Sequence, residues 1–433
     1  MELTFRMQDF IRGDILQSLS AQFPFELLDS NRLKEGKVQR DRIYNQENTL
    51  LTMLTAAFQE DKSLENSVQV FSEIFHNRSE QLKSEESIRL QAQREADKDN
   101  KGKIGRPKSY KPKLAKSKSR DISLNTAAYS KARKRLDIGL VQEVFKHSSQ
   151  CGQPVLWHGL ETYIGDGTYF QMQDTLALRS KYFVKENDGA YPQGLLETFV
   201  RQGSGQIAYF KIGTRHQSEL ELYVDLIKEL KPGSLLLADD LYSCYAIFSL
   251  AIQRGVHLIV PGKRKRSYSV IKEIAPGDQI VELKKKDLPR WWDKSFEIPD
   301  KLTMRRISYN SPIDGAEMVL YTTILDENVP KTDFITKYIT RWDVEISIRE
   351  IKTLMGLNIA RGKSEEMVFK EMLIGLTAYN MARNLIAKAV DNTGFPPQEH
   401  IFQKFLEANK TVLIDKKGRV YSRWSTGRHG KVD

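Results

Sequence analysis

Cysteine is nearly missing: the 433 residues hold two, Cys151 and Cys244. Two thiols build neither a disulfide framework nor a thiolate metal site, which points to a reducing cytoplasm. Long apolar runs are missing as well. The longest, Tyr245 to Val260, is cut by Gln253 and Arg254, short of the roughly 18 uninterrupted residues that a membrane span needs. The stretch from Met1 to Gly13 carries Glu2, Arg6, Asp9 and Arg12 with no apolar core, so it does not read as a signal peptide. No internal repeat is found. What is present is the composition of a folded chain, 40% hydrophobic and 28% charged. That is enough to fill at least one large core, over a length that allows about two to four domains.

The net charge of +11 is a local feature. Between Lys98 and Arg135 lie fourteen of the 67 basic residues and two of the 56 acidic ones, so the rest of the chain is close to neutral. Each Lys or Arg that neutralises a phosphate releases a condensed counterion, so this segment, with Arg106, Lys108, Lys111 and Lys113 at its centre, is expected to grip nucleic acid with little sequence preference. Gly105-Arg106-Pro107 has the form of a minor-groove arm. The competing reading is a solvated linker that repels itself.

Apolar residues at spacings of three and four predict helices at 49–60 and 64–76, with Asn48 and Ser63 as N-caps, and residues 1–90 read as a small helical domain. A basic linker and pre-catalytic segment follow at 91–135. From 136 to 261 short β-rich runs (161–172, 195–200, 207–212, 235–239, 257–261) alternate with helical periods at 216–230 and 241–254, which predicts an α/β sheet with hairpin and parallel connections. Proline and glycine break that rhythm at 262–316, read as an inserted β-rich subdomain. The pattern resumes over 317–392 with a strand at 318–325 and helices at 333–355 and 364–390, and little order is expected over 393–433.

The helix at 333–355 carries Tyr338, Arg341, Glu345, Arg349 and Lys352 at spacings of 3, 4, 4 and 3, which places them on one face. One carboxylate flanked by three cations and a phenol suits a metal and a phosphate backbone; the alternative is an exposed salt-bridge ladder worth a few tenths of a kcal/mol per pair. Asp166, in Tyr-Ile-Gly-Asp-Gly-Thr, and Asp239, ending Leu-Leu-Leu-Ala-Asp, are acids on hydrophobic strands, costly there unless they meet a cation or a donor. Isolated strand-end aspartates commonly cap turns. Together with Glu345, however, they form an oxygen-only set suited to Mg²⁺.

At these residues the chain resembles the bacterial insertion-sequence transposases of the DDE class, in the branch called the IS-four family. Tyr338, Arg341, Glu345 and Lys352 fit the signature Tyr-x2-Arg-x3-Glu-x6-Lys. Asp166-Gly167-Thr168 resembles the first acidic motif, and Leu237-Ala238-Asp239 with Tyr242 and Ser243 the second, although the family commonly has Arg-Gly where this chain has Asp240-Leu241. Strand alternation does not choose between Asp239 and Asp240; Asp239 is taken as the ligand. Arg42-Ile43-Tyr44 and the stretch Ala127 to Leu136 resemble N-terminal and pre-catalytic segments of the family. The resemblance implies an RNase H-like catalytic core with a β-rich insertion, preceded by the small helical domain. It implies catalysis by Asp166, Asp239 and Glu345, which would hold two Mg²⁺ ions with Mn²⁺ able to substitute. DNA contacts are then expected from Tyr338, Arg341, Arg349, Lys352, Lys263 and Arg264, and from Arg305 and Trp292 in the insertion, with Trp292 rather than Trp291 stacking on a flipped base. The partners implied are double-stranded DNA, as terminal inverted repeats and as target, and a second copy of the chain in the end-joined complex. No membrane is implied, and the protein would lie with the nucleoid. A non-catalytic repressor derived from a transposase and a host nuclease on the same core are the competing functions. The intact acids oppose the first, and the Tyr-Arg-Glu-Lys stripe with its insertion opposes the second.

Overall fold

The computed structural model describes residues 43–73, 123–150, 154–182, 191–263, 266–285, 292, 296–311, 315–391, 413–414 and 420–421. These fall into two compact units, one spanning Lys34–Asp137 and the other containing the described residues from Ile138 onward. The expected basic grip at Arg106, Lys108, Lys111 and Lys113 lies outside the described residues, as does most of 393–433.

In the smaller unit, helix α1 (Gln46–Ala57) begins three residues earlier than the apolar spacing suggests. Asn45 is the cap, its side chain accepting from Asn48 N–H at 2.8 Å, while the Asn48 amide donates to Ile43 C=O at 2.6 Å. Residues 64–73 are helical, and the Ser63 hydroxyl accepts from Asn66 N–H at 3.1 Å. Helix α2 (Thr126–Arg135) is capped by Asn125. Tyr44 sits between Phe71 and Tyr129, ring centroids 5.1 and 5.3 Å away, and the Gln46 side chain accepts from Asp137 N–H at 3.1 Å. The end of the expected linker, 126–135, is thus part of this helical core: Tyr129 and Ala132 have a hydrophobic place to go.

The larger unit is a mixed α/β fold built on one ten-stranded sheet. Its strands are β1 (Leu156–Trp157), β2 (Leu160–Gln171), β3 (Gln193–Arg201), β4 (Ile207–Thr214), β5 (Leu235–Leu237), β6 (His257–Pro261), β7 (Tyr268–Ala275), β8 (Asp278–Lys284), β9 (Lys301–Asn310) and β10 (Glu317–Thr322). The order is β4-β3-β2-β5-β6-β10-β9-β8-β7, with β1 paired to β2. Strands β2, β3 and β4 are antiparallel neighbours, whereas β5 runs parallel to β2 and β6 parallel to β5. A strand of three residues, all fully buried, suits the centre of such a sheet, where both faces are covered. Helices α5 (Glu219–Glu229) and α6 (Tyr245–Gln253) cover one face, in a core with Tyr163, Phe199, Leu236 and Leu258. Helix α3 (Ile138–Ser148) packs against α9 (Glu365–Asp391), and the amide of Asn380 on α9 bonds both backbone groups of Ile207. The remaining helices are α4 (Leu176–Tyr182), α7 (Lys331–Ile339) and α8 (Asp343–Arg349).

The β-rich stretch at 262–316 extends this sheet instead of standing apart as a subdomain. β10 pairs with β6 on one side and with β9 over six residues on the other, so the hydrogen-bond ladder passes without a break into β8 and β7. Two DNA contacts expected here are corrected by burial. Trp292 is 6% exposed, packs edge-on against Phe296 at 6.1 Å and belongs to the core with Ile298 and Leu302. An indole placed in that core has no face to offer a base. Arg305 is 1% exposed and its guanidinium is occupied by Asp278 and by the carbonyls of Asp326 and Val329. It is a structural ion pair.

Candidate active site

Register brings the two aspartates together. In the parallel pair, Ile164 of β2 lies opposite Leu237 of β5. Alternation with a period of two puts Asp166 on the Ile164 face of β2, and Asp239, two residues past the end of β5, comes close enough to act on its carboxyl. Asp166 is inside β2, its carboxylate accepting from Gly167 N–H at 2.9 Å, and its carbonyl accepts from the Thr198 hydroxyl at 3.1 Å. Asp239 caps the 3₁₀ turn Asp240–Tyr242, accepting from Leu241 N–H at 2.6 Å. Turn capping and proximity to Asp166 are thus combined in one residue. Asp240 points elsewhere, accepting from Lys263 N–H at 3.3 Å, and it is Asp239 that acts electrostatically on Asp166.

Burial pushes the Asp166 carboxyl up to about 6 from its ordinary 3.8; Asp239 and Glu219 add to the rise, while the Gly167 N–H and the Arg341 guanidinium oppose it. A carboxyl raised in the folded state stabilises the fold fully only below its unfolded value and loses that contribution as pH rises through the folded value. In metal-free buffer Asp166→Asn is therefore expected to raise the melting temperature by several degrees at pH 7.5 and to change it little near pH 3.5. Thermal melts at the two pH values check this, and an equal shift at both would remove charge burial as the cause.

The helical run from 331 to 354 is not a single α-helix. Between α7 and α8 lies a 3₁₀ turn, Thr340–Trp342, and α8 passes into a π turn, Glu350–Leu354, closed by Met355 N–H to Glu350 C=O at 2.8 Å. Glu350 is drawn inward there by Arg383 and Tyr379 of α9, at 2.5 and 3.0 Å. Such wide turns are frequent at functional sites. α7 is fastened to the sheet at its start, where His158 in the β1–β2 turn meets Asp333 at 2.9 Å and Trp157 packs on Phe334. It is fastened again further along, where the Lys337 amine donates to Gln202. Burial pushes that amine down to about 8, with Asp343 opposing.

The expected stripe divides into a buried and an exposed part. Tyr338 is buried and its hydroxyl engages Arg341, so its ring is not free to lie on a strand backbone as expected. Arg341 is the link: its guanidinium acts on Asp166 and lies 3.8 Å from Glu345, and its buried Nε has no hydrogen-bond partner. Glu345 and Arg349 are exposed and Lys352 is half-buried. Asp166 and Asp239 are therefore neighbours, while Glu345 is connected to them through Arg341. As the side chains stand, no three His, Cys, Asp or Glu among the described residues are close enough to hold one metal ion. Lys263 is exposed beside Asp240, and Arg264 lies outside the described residues.

Sequence reading missed Glu197 and Glu219. Glu197 is fully buried in β3 directly opposite Gly167, and both its oxygens lie within hydrogen-bond distance of the Tyr242 hydroxyl, at 3.1 and 3.2 Å. Burial, with Glu219, Asp166 and Asp239 nearby, holds its carboxyl well above the usual carboxylate range. The available signal was an acid in the middle of the apolar run Leu195–Val200. Glu219, in the first turn of α5, is also raised, by burial and by Asp239.

Known proteins similar to this chain are transposases. The chain is 26% identical, over 305 residues covering 67% of it and 68% of the relative, to the transposase InsG for insertion sequence element IS4 of Escherichia coli K12. Among solved structures, the piggyBac transposase synaptic complex with hairpin DNA aligns at a TM-score of 0.36 and 10% identity, over 66% of this chain and 62% of that one. Residues 157–381, just over half of the chain, match the family model for the transposase DDE domain. The chain therefore belongs to the DDE transposases and is a DNA-cleaving and strand-transferring DNA transposase.

Proposed function

We propose that the chain excises an insertion element by metal-dependent cleavage at its terminal inverted repeats and joins the freed ends to target DNA. In the first step water hydrolyses a phosphodiester and frees a 3′-OH at the element end, leaving a 5′-phosphate on the flanking DNA; in the second that hydroxyl attacks a phosphodiester of the target, joining to its phosphorus as the target's P–O3′ bond breaks and a target 3′-OH leaves. Asp166, Asp239 and Glu345 are the catalytic residues and metal ligands of this reading, on a core of RNase H-like type. The antiparallel run β2-β3-β4 followed by parallel β5 and β6 supports that fold. The observation that carries the reading is the proximity of Asp166 and Asp239, which the parallel pairing of β2 with β5 brings within electrostatic reach of each other.

The donor set fits a divalent cation. It is all carboxylate, as Mg²⁺ and Mn²⁺ prefer, and the Asp166 carboxyl, raised by burial with Asp239 and Glu219 adding to the rise, has acidic neighbours whose repulsion a cation would relieve. When bound, two such ions stabilise the attacking and leaving oxygens of an in-line displacement. The chain's own residues do the rest. Arg341 offers a buried donor that lacks a partner, a state that costs about 1–3 kcal/mol and that a phosphate oxygen ends. Tyr338 holds Arg341 in place, and Arg349, Lys352 and Lys263 bind phosphates and so position DNA without reading its sequence. End recognition belongs to residues 1–135, and joining two ends calls for two protomers.

The test is a purified full chain with DNA carrying the inverted repeats that flank its gene. Mg²⁺ or Mn²⁺ is expected to yield cleaved ends and joined products, whereas binding without cleavage under both metals favours a repressor. In the same system, neutralising Lys111, Lys113, Lys116 and Lys118 is expected to weaken binding to all sequences alike. It should also flatten log K against log salt by about 0.9 for each phosphate that the variant no longer neutralises. An unchanged slope returns the segment to a linker.

A further inference from the structure

Two glycines flank Asp166, and each leaves room for something behind the sheet. A Cβ on Gly165 would lie 2.6 Å from the ring of Tyr223, and a Cβ on Gly167 would lie 2.5 Å from a carboxylate oxygen of Glu197. Alternation puts both glycines on the face away from the Asp166 side chain, so Glu197 and Tyr223 lie beneath the strand, on the side covered by α5 and α6. Tyr242 completes the assembly. Its ring stacks on Tyr223 with centroids 3.9 Å apart and planes at 26°, and its hydroxyl meets both oxygens of Glu197. Tyr223, whose own buried hydroxyl has no partner, serves as the platform that aims the Tyr242 phenol.

Tyr242 ends the 3₁₀ turn that Asp239 begins. The connection therefore runs from Gly167, next to Asp166, through Glu197 and Tyr242 to the turn that carries Asp239. Each member is buried: Glu197 and Tyr223 are 0% exposed and Tyr242 2%. A carboxyl sunk this deep with one phenol as hydrogen-bond partner and no cation is expensive for the fold, and core packing alone gives no reason to keep it there. We propose that Glu197 is a positioning residue, which through its hydrogen bond to Tyr242 braces the Asp239 turn from behind and fixes the separation of Asp166 and Asp239 for a divalent cation. The proposal rests on the reading of Asp166 and Asp239 as ligands.

Tyr242→Phe removes the hydroxyl and keeps the stacked ring; Glu197→Gln keeps a carbonyl acceptor of the same shape. The experiment measures Mn²⁺ binding to the full chain without DNA, by electron paramagnetic resonance of free Mn²⁺, beside a thermal melt. Loss of groups that orient metal ligands commonly lowers metal affinity 10- to 100-fold. Tyr242→Phe is thus expected to weaken Mn²⁺ binding about tenfold with a melting temperature within a few degrees of wild type. Glu197→Gln should stay close to wild type in both. Wild-type Mn²⁺ affinity in Tyr242→Phe, or a loss in Glu197→Gln as large as in Tyr242→Phe, overturns the brace. Asp239→Asn separates the two readings. If it abolishes Mn²⁺ binding while Tyr242→Phe binds normally, the brace alone fails; if it binds normally, the ligand assignment fails and the brace with it.

Discussion

Glu345→Gln is expected to abolish strand cleavage while leaving DNA binding and folding intact. The change removes one negative charge at constant shape, and at this position the fold has little to lose. The Glu345 side chain is 52% exposed and its one close ion pair, with Arg341, is 3.8 Å long, the kind of exposed pair worth about 0–1 kcal/mol. Chemistry has much more to lose. A bound metal supplies several kcal/mol of transition-state stabilisation, and each 1.36 kcal/mol is a factor of ten in rate, so the expected loss is about a thousandfold or more. A gel-based nicking assay in Mg²⁺, run beside a binding titration and a melt, checks all three properties. Nicking by the mutant near the wild-type rate would remove Glu345 from the site and leave Asp166 and Asp239 as a pair without a third ligand. Loss of binding in parallel with cleavage would instead place Glu345 in the DNA interface. The distance of Glu345 from the aspartates makes this the sharpest test of the proposal, because Arg341 stands between them.

How much of this was legible in the sequence depended on whether a residue's role follows from its local pattern. The strands that carry or lead to Asp166 and Asp239 announce themselves, since short apolar runs bounded by turns have few other fates. The two aspartates are conspicuous as acids on apolar strands. That they come together is a matter of the pairing of β2 with β5, across about 70 intervening residues, and visible only in the fold. Glu197 was hidden for the same reason: its meaning lies in being opposite Gly167 and beneath Tyr242, and neither neighbour is near in sequence. The helix at 333–355 was legible as helical, but its 3₁₀ and π turns come from tertiary pulls, Gln202 on Lys337 and Arg383 on Glu350, that periodicity does not encode. Trp292 and Arg305 were misread because amphipathic side chains look alike in sequence whether they face solvent or core. Likewise the proline- and glycine-rich pattern at 262–316 marks tight connections, not which strand β10 will join.

Arg305 gives the second large effect, and its sign distinguishes a structural ion pair from a DNA contact. The guanidinium meets Asp278 through Nε and Nη2 at 2.8 and 2.6 Å and donates to the carbonyls of Asp326 and Val329 at 2.6 and 2.9 Å. It also lies over the Phe334 ring at 4.8 Å. One residue thus joins β8 and β9 to the loop before α7 and to α7 itself, the helix that delivers Tyr338 and leads to Arg341. Asp278→Ala leaves a buried cation with only carbonyl partners, and breaking such a pair costs about 3–5 kcal/mol. In a unit of this size that is a fall of about 6–20 °C in melting temperature. Replacing both partners by apolar residues, Asp278→Leu with Arg305→Met, removes the unpaired charge and is expected to cost less than Asp278→Ala alone. Cleavage at low temperature by the folded fraction, and the salt slope of DNA binding, should stay near wild type in the double variant, because the pair is sealed from solvent at 1% and 3% side-chain exposure. A double variant that melts like wild type but binds DNA with a slope reduced by about one would restore Arg305 to the phosphate-binding set and overturn the burial argument. If melting falls in the single variant and recovers in part in the double, with an unchanged slope, Arg305 fastens the added strands to the helix that positions Arg341.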